Sequence, residues 1–129
     1  MRPHKLNYYL AIAAMVAQRS TCTRRQYGAV LVKDDEIVAT GYNGAARGEP
    51  NCCDTGYCAR RNAPHNSGYT SACPAVHAEM NALLSAGRSR AQGAILYLAG
   101  YEDGKLISAE PCEMCRRALI NCGVKDVRS

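Results

Sequence analysis

The apolar positions near the start of the 129-residue chain follow a helical spacing. After residue 5 they recur every three or four positions, and the resulting stripe consists of Leu6, Tyr9, Ile12 (or Ala13) and Val16. This period predicts a helix with one buried face. The apolar run over 8–17, behind two basic residues, also resembles a secretory signal. The helix is favoured, because eight cysteines with a C-x-x-C pair suit a reducing, cytoplasmic compartment.

Strand patterns follow this helix. Residues 28–34 and 37–42 are short and mostly apolar, and the acidic run over 34–36 predicts an antiparallel hairpin between them. Asn43 and Gly44 come next, and an Asn-Gly pair is a strong hairpin-turn signal. The alternative is that the Asn43 amide is presented to a ligand. From the residues alone, the turn is favoured.

Helical and strand patterns alternate in the second half of the chain. The predicted elements are a helix over 76–87, a strand over 94–99, a polar segment over 100–109, a helix over 111–121 and a strand over 124–127. Gly87 and Gly123 end the two helices, and the Asp-Gly pair at 103–104 marks a tight turn in the polar segment. This alternation favours parallel pairing and one α/β domain over residues 1–129.

Composition and charge add a hint about the ligand. Apolar residues make up 47% of the chain, and no stretch is long enough to span a membrane. The net charge of +5 suits an anionic ligand such as a phosphate. Arginine pairs phosphate oxygens in two places at once, and the candidates for this contact are Arg24, Arg25, Arg47 and Arg88.

Two short motifs carry metal-ligand residues. The run H-A-E over 77–79 offers an imidazole, and the run P-C-E-M-C over 111–115 offers two thiols. Three protein ligands leave the fourth position of a tetrahedral zinc open to water, as in catalytic sites. Cys112 and Cys115 share one helix face, whereas His77 and Glu79 can serve one metal only if His77 lies at a helix start. The pattern H-x-E…P-C-x-x-C is that of zinc-dependent nucleobase deaminases, in which the glutamate moves protons.

The segment from Arg47 to Thr70 is long, polar and rich in metal-ligand residue types. Loops of this length inside compact domains are usually functional or tied down. A second, closed zinc site would staple this loop. The candidate ligands are Cys22 before the first strand, Cys52, Cys53, Cys58 and His65 within the loop, and Cys73 after it. Cys122, by contrast, is predicted to be a small buried hydrophobe.

Five blocks of the chain resemble those of the deoxycytidylate (dCMP) deaminases, in the zinc-dependent cytidine and deoxycytidylate deaminase family. They stand in the family's order, and they are R-S-T-C-T-R-R-Q-Y-G-A-V-L-V over 19–32, A-T-G-Y-N-G over 39–44, C-C-D over 52–54, V-H-A-E-M-N-A-L over 76–83 and P-C-x-x-C over 111–115. The resemblance implies a three-layer α/β/α cytidine-deaminase-like sandwich around a five-stranded mixed sheet. It also implies a zinc-dependent hydrolase that converts dCMP to dUMP and ammonia, which supplies dUMP for thymidylate synthesis.

The resemblance further implies roles for individual residues. The ligands of the catalytic zinc would be His77, Cys112 and Cys115. Glu79 would carry protons from water to cytosine N3 and then to the leaving amine. Asn43 would contact the sugar or the base, which replaces the turn interpretation, and the Ala78 backbone N–H would read the base. Arg88, at the end of the His77 helix, remains a candidate for the phosphate.

Some members of the family carry a second zinc, and its ligands there match Cys22 and Cys52 of this chain. We infer Cys58 and Cys73 as the remaining ligands, with Cys53 and His65 as substitutes. Members are often homohexamers, and many are activated by dCTP and inhibited by dTTP. A nucleotide effector of this kind would bring Mg²⁺ with it.

Two departures and two rival functions accompany this resemblance. The polar segment over 100–109 is an insertion that alters the rim of the site, and the sequence stops at the last strand, before a helix that members usually add.

One rival is a deaminase of another cytosine nucleoside or nucleotide, or of a base in RNA or single-stranded DNA. A nucleic-acid substrate needs a basic, aromatic-lined channel, which the sequence does not suggest. The other rival is a non-catalytic zinc-binding module, which has no use for Glu79.

Overall fold

The three-dimensional structure is a computed structural model, and it describes residues 1–65 and 73–129. In chain order the elements are α1 (Lys5–Ala17), β1 (Gln26–Lys33), β2 (Glu36–Tyr42), β3 (Gly44–Ala45), α2 (Cys52–Thr55), β4 (Ala75–Val76), α3 (Ala78–Ala91), β5 (Ile95–Glu102), β6 (Lys105–Ile107), α4 (Glu113–Asn121) and β7 (Asp126–Arg128). Of the loop predicted over 47–70, residues 66–70 lie outside the described residues. Within the described ranges, none of the helices has the length and apolar character needed to cross a bilayer.

Five strands form one mixed sheet in the order β2-β1-β5-β6, and β7 also pairs with β5. β1 lies antiparallel to both β2 and β5. The other edge of β5 is shared, since β7 runs parallel to residues 95–97 and β6 runs antiparallel to residues 100–102. The predicted five-stranded mixed sheet is therefore confirmed, and β7 supplies the predicted parallel pairing.

Helices cover both faces of this sheet. On one face α1 packs against β1 and β5, and the buried residues there are Tyr9, Ala13, Val30, Val32 and Tyr97. On the other face α3 and α4 pack against the same strands, and the largest buried residues are Leu31, Leu83, Leu96, Leu98 and Leu119. Because β1 and β5 are covered on both sides, their sequences are nearly continuous apolar runs. The predicted three-layer α/β/α architecture is confirmed.

Two glycines allow helices to approach the sheet closely. A Cβ atom on Gly28 would lie 2.1 Å from the Ala13 carbonyl oxygen of α1, and one on Gly41 would lie 2.4 Å from the Ala78 carbonyl oxygen of α3. Only glycine permits backbones to come this close, so a side chain at either position would push a helix away. Gly41 thereby sets the distance between β2 and the start of α3, where His77 lies.

Three predictions from the sequence are corrected by the structure. Asn43 does not sit in a hairpin turn, because the chain continues from β2 into β3, which pairs with β4. The polar segment over 100–109 is partly regular, because β5 extends to Glu102 and turns at the predicted Asp-Gly pair into β6. Gly87 takes a φ of 75° and interrupts α3, but helical residues continue beyond it to Ala91.

The β1–β2 hairpin turns at Asp34 and Asp35, as predicted. Both residues have a left-handed backbone, with φ of 52° and 62°, which is costly for residues that carry a side chain. α1 holds this turn, because the Tyr9 hydroxyl donates to the Asp35 carboxylate at 2.5 Å and the Lys5 ammonium pairs with it at 2.7 Å. The hydrogen bond to Asp35 raises the pKa of Tyr9 to about 12, and the bond from Lys5 lowers the pKa of Asp35.

Replacing Tyr9 by Phe should destabilise the fold, because the ring stays but the hydroxyl that holds the turn is lost. We expect the midpoint of thermal unfolding to fall by about 3–6 °C at neutral pH. Since the pKa of Asp35 is lowered in the folded protein, the loss should shrink as the pH falls through that lowered value and the carboxylate is protonated. Tyr8→Phe, at an exposed neighbouring tyrosine, is the control, and an equal fall in both variants would contradict the anchoring role.

Candidate active site

Two helix starts come together and carry the predicted metal ligands. His77 is the N-cap residue of α3, and Cys112 is the N-cap residue of α4. Neither side chain caps its own helix. Pro111 stands before the N-cap of α4, and Cys115 lies in the first turn. The requirement that His77 lie at a helix start is therefore met.

The three ligand atoms already lie at coordination distances from one another. His77 Nδ1 is 3.5 Å from Cys112 Sγ and 3.3 Å from Cys115 Sγ. Tetrahedral zinc, with Zn–S near 2.3 Å and Zn–N near 2.0 Å, separates sulfur from nitrogen by about 3.5 Å. The residues present therefore fit zinc. Across residues 1–65 and 73–129, no other trio of such ligand atoms lies within 4.8 Å of one another.

Glu79 is buried beside this trio. It lies in the first turn of α3 with a relative exposure of 5%. Burial raises the pKa of its carboxyl to about 7, so both protonation states are accessible near neutral pH, as an acid–base group requires. Burial also raises the pKa of the Cys115 thiol and lowers the pKa of His77. A bound metal ion reverses the effect on the thiol, because metals take the thiolate form.

The metal-ligand trio opens into a pocket formed by the segment before β1, β3, the loop after α2 and the starts of α3 and α4. The lining includes Thr21, Cys22, Arg24, Arg25, Tyr27, Asn43, Cys52, Cys58, Arg60, His65, Cys73, His77, Ala78, Glu79, Glu110 and Cys112. Ala78 is the first residue of α3, so its backbone N–H has no acceptor within the helix. That donor suits the predicted contact with the base. Asn43 is 8% exposed, and its amide is bonded to the segment before β1 and to β1 itself.

Two of the candidate arginines line the pocket but already have protein partners. The Arg24 guanidinium donates to the backbone carbonyls of Arg60 and Ala63, at 2.6 and 2.7 Å. It therefore clamps the loop after α2. The Arg25 guanidinium pairs with Glu102 at 2.9 Å, which ties the segment before β1 to the end of β5. The insertion at 100–109 thus reaches the rim of the site through Glu102.

The other two candidates, Arg47 and Arg88, do not line the pocket. Arg88 is exposed and follows the Gly87 interruption, at the other end of α3 from Ala78. Arg88 therefore has no place in the pocket of its own chain, and the phosphate contact from Arg88 stays a prediction. The distance arises because Arg88 and His77 lie at opposite ends of one helix.

Arg60 is a pocket residue that the sequence prediction missed. It is 7% exposed, and its guanidinium donates to the Pro64 carbonyl at 3.1 Å. Burial is the main factor that lowers the pKa of His77, and the positive charge of Arg60 lowers it further. The only hint in the sequence is that Arg60 comes two residues after Cys58, inside the cysteine-rich loop.

The second group of thiols lines the same pocket. Burial raises the pKa of Cys52 most. Neighbouring thiols raise it further, namely those of Cys22, Cys58, Cys73 and Cys53. Of the two substitute ligands, His65 lines the pocket, whereas Cys53 is exposed with its Sγ 3.9 Å from an Asp54 carboxylate oxygen. Cys122, predicted to be buried, is half-buried at the end of α4 and packs against the core.

Comparison with known proteins places the chain among deaminases. The family model described as the cytidine and deoxycytidylate deaminase zinc-binding region matches residues 3–128. Deoxycytidylate deaminase of Mycobacterium phage D29 is 41% identical over 132 residues, which cover 98% of this chain and 94% of that protein. Deoxycytidylate deaminase of Schizosaccharomyces pombe is 39% identical over 128 residues, which cover 98% of this chain. The chain spans 37% of the length of that yeast relative.

Solved structures show the same fold. The dCMP deaminase from the cyanophage S-TIM5, in complex with dCMP and dUMP, superposes with a TM-score of 0.68 at 27% identity. The match covers 98% of this chain and 81% of that chain. Cytidine deaminase from Mycobacterium tuberculosis superposes with a TM-score of 0.55 at 20% identity, which agrees with the cytidine-deaminase-like architecture.

Proposed function

Since the chain belongs to the cytidine and deoxycytidylate deaminase family, we propose that it is a zinc-dependent hydrolase that converts dCMP to dUMP and ammonia. The observation that carries this proposal is the trio of His77, Cys112 and Cys115 beside a buried Glu79. The relatives that are named deoxycytidylate deaminases support the choice of substrate. The product dUMP would supply thymidylate synthesis.

The chemistry divides between the metal and one carboxylate. His77, Cys112 and Cys115 would hold zinc, which as a Lewis acid lowers the pKa of water towards neutrality. Glu79 takes a proton from the attacking water and delivers it to N3 of cytosine. It takes the second proton of that water and delivers it to the amine, which leaves from C4 as ammonia. Acid–base help of this kind contributes roughly 10²–10⁴ in rate.

Glu79→Gln should lower kcat for dCMP by roughly 10³-fold or more while leaving zinc bound, because the amide keeps the shape of the side chain but cannot carry protons. The measurements are ammonia release and zinc content by metal analysis. Glu113→Gln is the matched control, since Glu113 also lies in the first turn of a ligand-bearing helix but is exposed and paired with Arg117. Near-normal turnover in the Glu79 variant would remove this residue from the mechanism.

Contacts with the nucleotide follow from the pocket lining. The Ala78 backbone N–H would read the base, and the Asn43 amide would contact the sugar or the base. For the 5′-phosphate we propose Arg25 and Arg60, since both line the pocket. Arg24 also lines it, but its guanidinium already donates to two backbone carbonyls. Each charge-assisted contact contributes roughly 1.5–3 kcal/mol. Two such contacts would favour the nucleotide over the nucleoside.

We expect kcat/KM for dCMP to exceed that for deoxycytidine by roughly 10²–10⁴-fold, because only dCMP offers a phosphate to these arginines. The ratio should fall at high salt, which screens the contact. Arg60→Gln should lower the ratio, whereas Arg61→Gln, at an exposed neighbouring residue, should leave it unchanged. An ammonia-release assay that includes CMP and an RNA oligonucleotide tests the rival substrates. Equal values for dCMP and deoxycytidine would overturn the nucleotide assignment.

We also propose a second, structural zinc held by Cys22, Cys52, Cys58 and Cys73. The support is that all four residues line one pocket. Burial raises the pKa of Cys52 most, and the nearby thiols of Cys22, Cys58 and Cys73 raise it further. His65 is the substitute ligand that shares this lining. Among the described residues, no three of these thiols lie within 4.8 Å of one another, so binding of the ion would have to bring the sulfur atoms closer together.

Cys52→Ser should reduce the zinc content from two ions per chain towards one and make the loop after α2 more sensitive to proteolysis. The matched control is Cys53→Ser, because that thiol is exposed and adjacent in sequence. Zinc content is measured on protein purified without chelators. Wild-type protein that holds a single zinc would contradict the second site.

Assembly and regulation remain predictions from the family. A homo-oligomer is supported by large apolar side chains that α3 and α4 expose, Leu84 at 71% and Ile120 at 69%. Light scattering should give the mass of a hexamer, and a monomeric mass would exclude this assembly. dCTP and dTTP, with Mg²⁺, would act as effectors of such an oligomer.

A further inference from the structure

The Asn43 side chain is bonded like a strand residue of the sheet. The Asn43 backbone N–H donates to the Tyr27 carbonyl, and its side chain then continues the ladder along β1. The Tyr27 backbone N–H donates to Asn43 Oδ1 at 2.8 Å, and Asn43 Nδ2 donates to the Arg25 carbonyl at 3.0 Å. The amide therefore acts as one more peptide group, placed at the wall of the pocket.

These partners fix which atom of the amide is oxygen. A backbone N–H can only donate and a carbonyl can only accept, so exchanging Oδ1 and Nδ2 would break both bonds. Oδ1 then accepts a second hydrogen bond, from the Ser20 hydroxyl at 2.6 Å. An amide oxygen has two lone pairs, and both are now used. Nδ2 has two hydrogens, one of which goes to the Arg25 carbonyl.

Ser20 is itself held in the orientation that this requires. The Cys22 backbone N–H donates to Ser20 Oγ at 3.1 Å, so the single hydroxyl hydrogen is directed towards Asn43. Ser20 Oγ lies 2.6 Å from Asn43 Oδ1 and 2.8 Å from the Asn43 backbone oxygen, so the shorter contact is the one to Oδ1. The backbone oxygen also accepts from the Thr21 backbone N–H at 3.4 Å. Ser20 has no part in the metal-ligand trio and does not line the pocket.

We propose that Ser20 is a positioning residue that makes Asn43 a pure hydrogen-bond donor towards the substrate. With its oxygen saturated, Asn43 offers the nucleotide only the second Nδ2–H. The group it recognises is therefore an acceptor oxygen, either the 3′ oxygen of the sugar or the carbonyl oxygen of the base. This inference rests on the proposed function, because it assumes that a cytosine nucleotide fills the pocket.

Removing the Ser20 hydroxyl frees one lone pair of Oδ1 and loosens the amide. The bond to the substrate then weakens by about one net hydrogen bond, which corresponds to a loss of roughly tenfold in kcat/KM. The loss should fall mainly on KM, because the donor touches a part of the nucleotide that does not react. Occupancy of the metal site formed by His77, Cys112 and Cys115 should be unaffected, and so should the chemistry at C4.

The test compares substrates across variants. kcat and KM are measured for dCMP, for 2′,3′-dideoxy-CMP, which lacks the 3′ oxygen, and for 2-thio-dCMP, whose base carbonyl is a poor acceptor. We expect Ser20→Ala to raise KM for dCMP about tenfold, Ser20→Thr to restore it, and the control Ser85→Ala to change nothing. The penalty should vanish with one analogue, which identifies the acceptor as the sugar oxygen or the base carbonyl.

An equal penalty on all three substrates, or a lower melting temperature without a change in KM, would overturn the proposal.

A second measurement uses wild-type protein alone, so it still tests the proposal if the Ser20 variant does not fold. In wild-type protein labelled with ¹⁵N, titration with dUMP should move one Asn43 Nδ2 proton downfield and leave the other in place. If neither proton moves although dUMP binds, Asn43 is not the donor. Absence of ammonia release from dCMP by wild-type protein would instead refute the proposed function.

Discussion

The meeting of two helix N-termini is the arrangement on which the rest of the site depends. Each helix start is the positive end of a dipole, and it favours the thiolates and the carboxylate that lie in its first turn. His77 and Cys112 occupy the two N-cap positions, so the metal would lie where both dipoles point. Gly41 makes this geometry possible, because any larger residue there would move the start of α3 away from the sheet.

The parts that local sequence patterns predicted correctly are those with local causes. The β1–β2 hairpin and the helix start at His77 each follow from residues within a few positions of one another. The pairing of β3 with β4 joins residues 44–45 to 75–76, and two-residue strands carry no periodic signal. The Asn-Gly pair misled for the same reason, since the partners that hold Asn43 come from Ser20 to Tyr27, which only the fold brings near.

The arginines show why a site is harder to predict than its metal ligands. Thiol and imidazole spacings are fixed by one ion, so the sequence can reveal them, whereas a guanidinium can serve a ligand or the protein itself. Arg24 stabilises a loop by binding two carbonyls, and Arg25 is oriented by Glu102. Arg60 enters the pocket because that same loop is clamped in place. The net charge suggests that some arginines contact an anionic ligand, but the packing of the chain decides which arginines reach the pocket.

The pairing of β1 with β5 has a consequence for folding kinetics. These strands form seven residue pairs, from Gln26 opposite Tyr101 to Val32 opposite Ile95, although residues 33–94 intervene along the chain. The central pairing therefore requires closure of a long loop, whose entropy is lost before the contacts form, and such topologies fold slowly. The cysteine-rich segment lies inside that loop. An ion held by the proposed second site would link Cys22 to Cys73 and shorten the loop left to close, and it would then speed folding as well as stabilise its product.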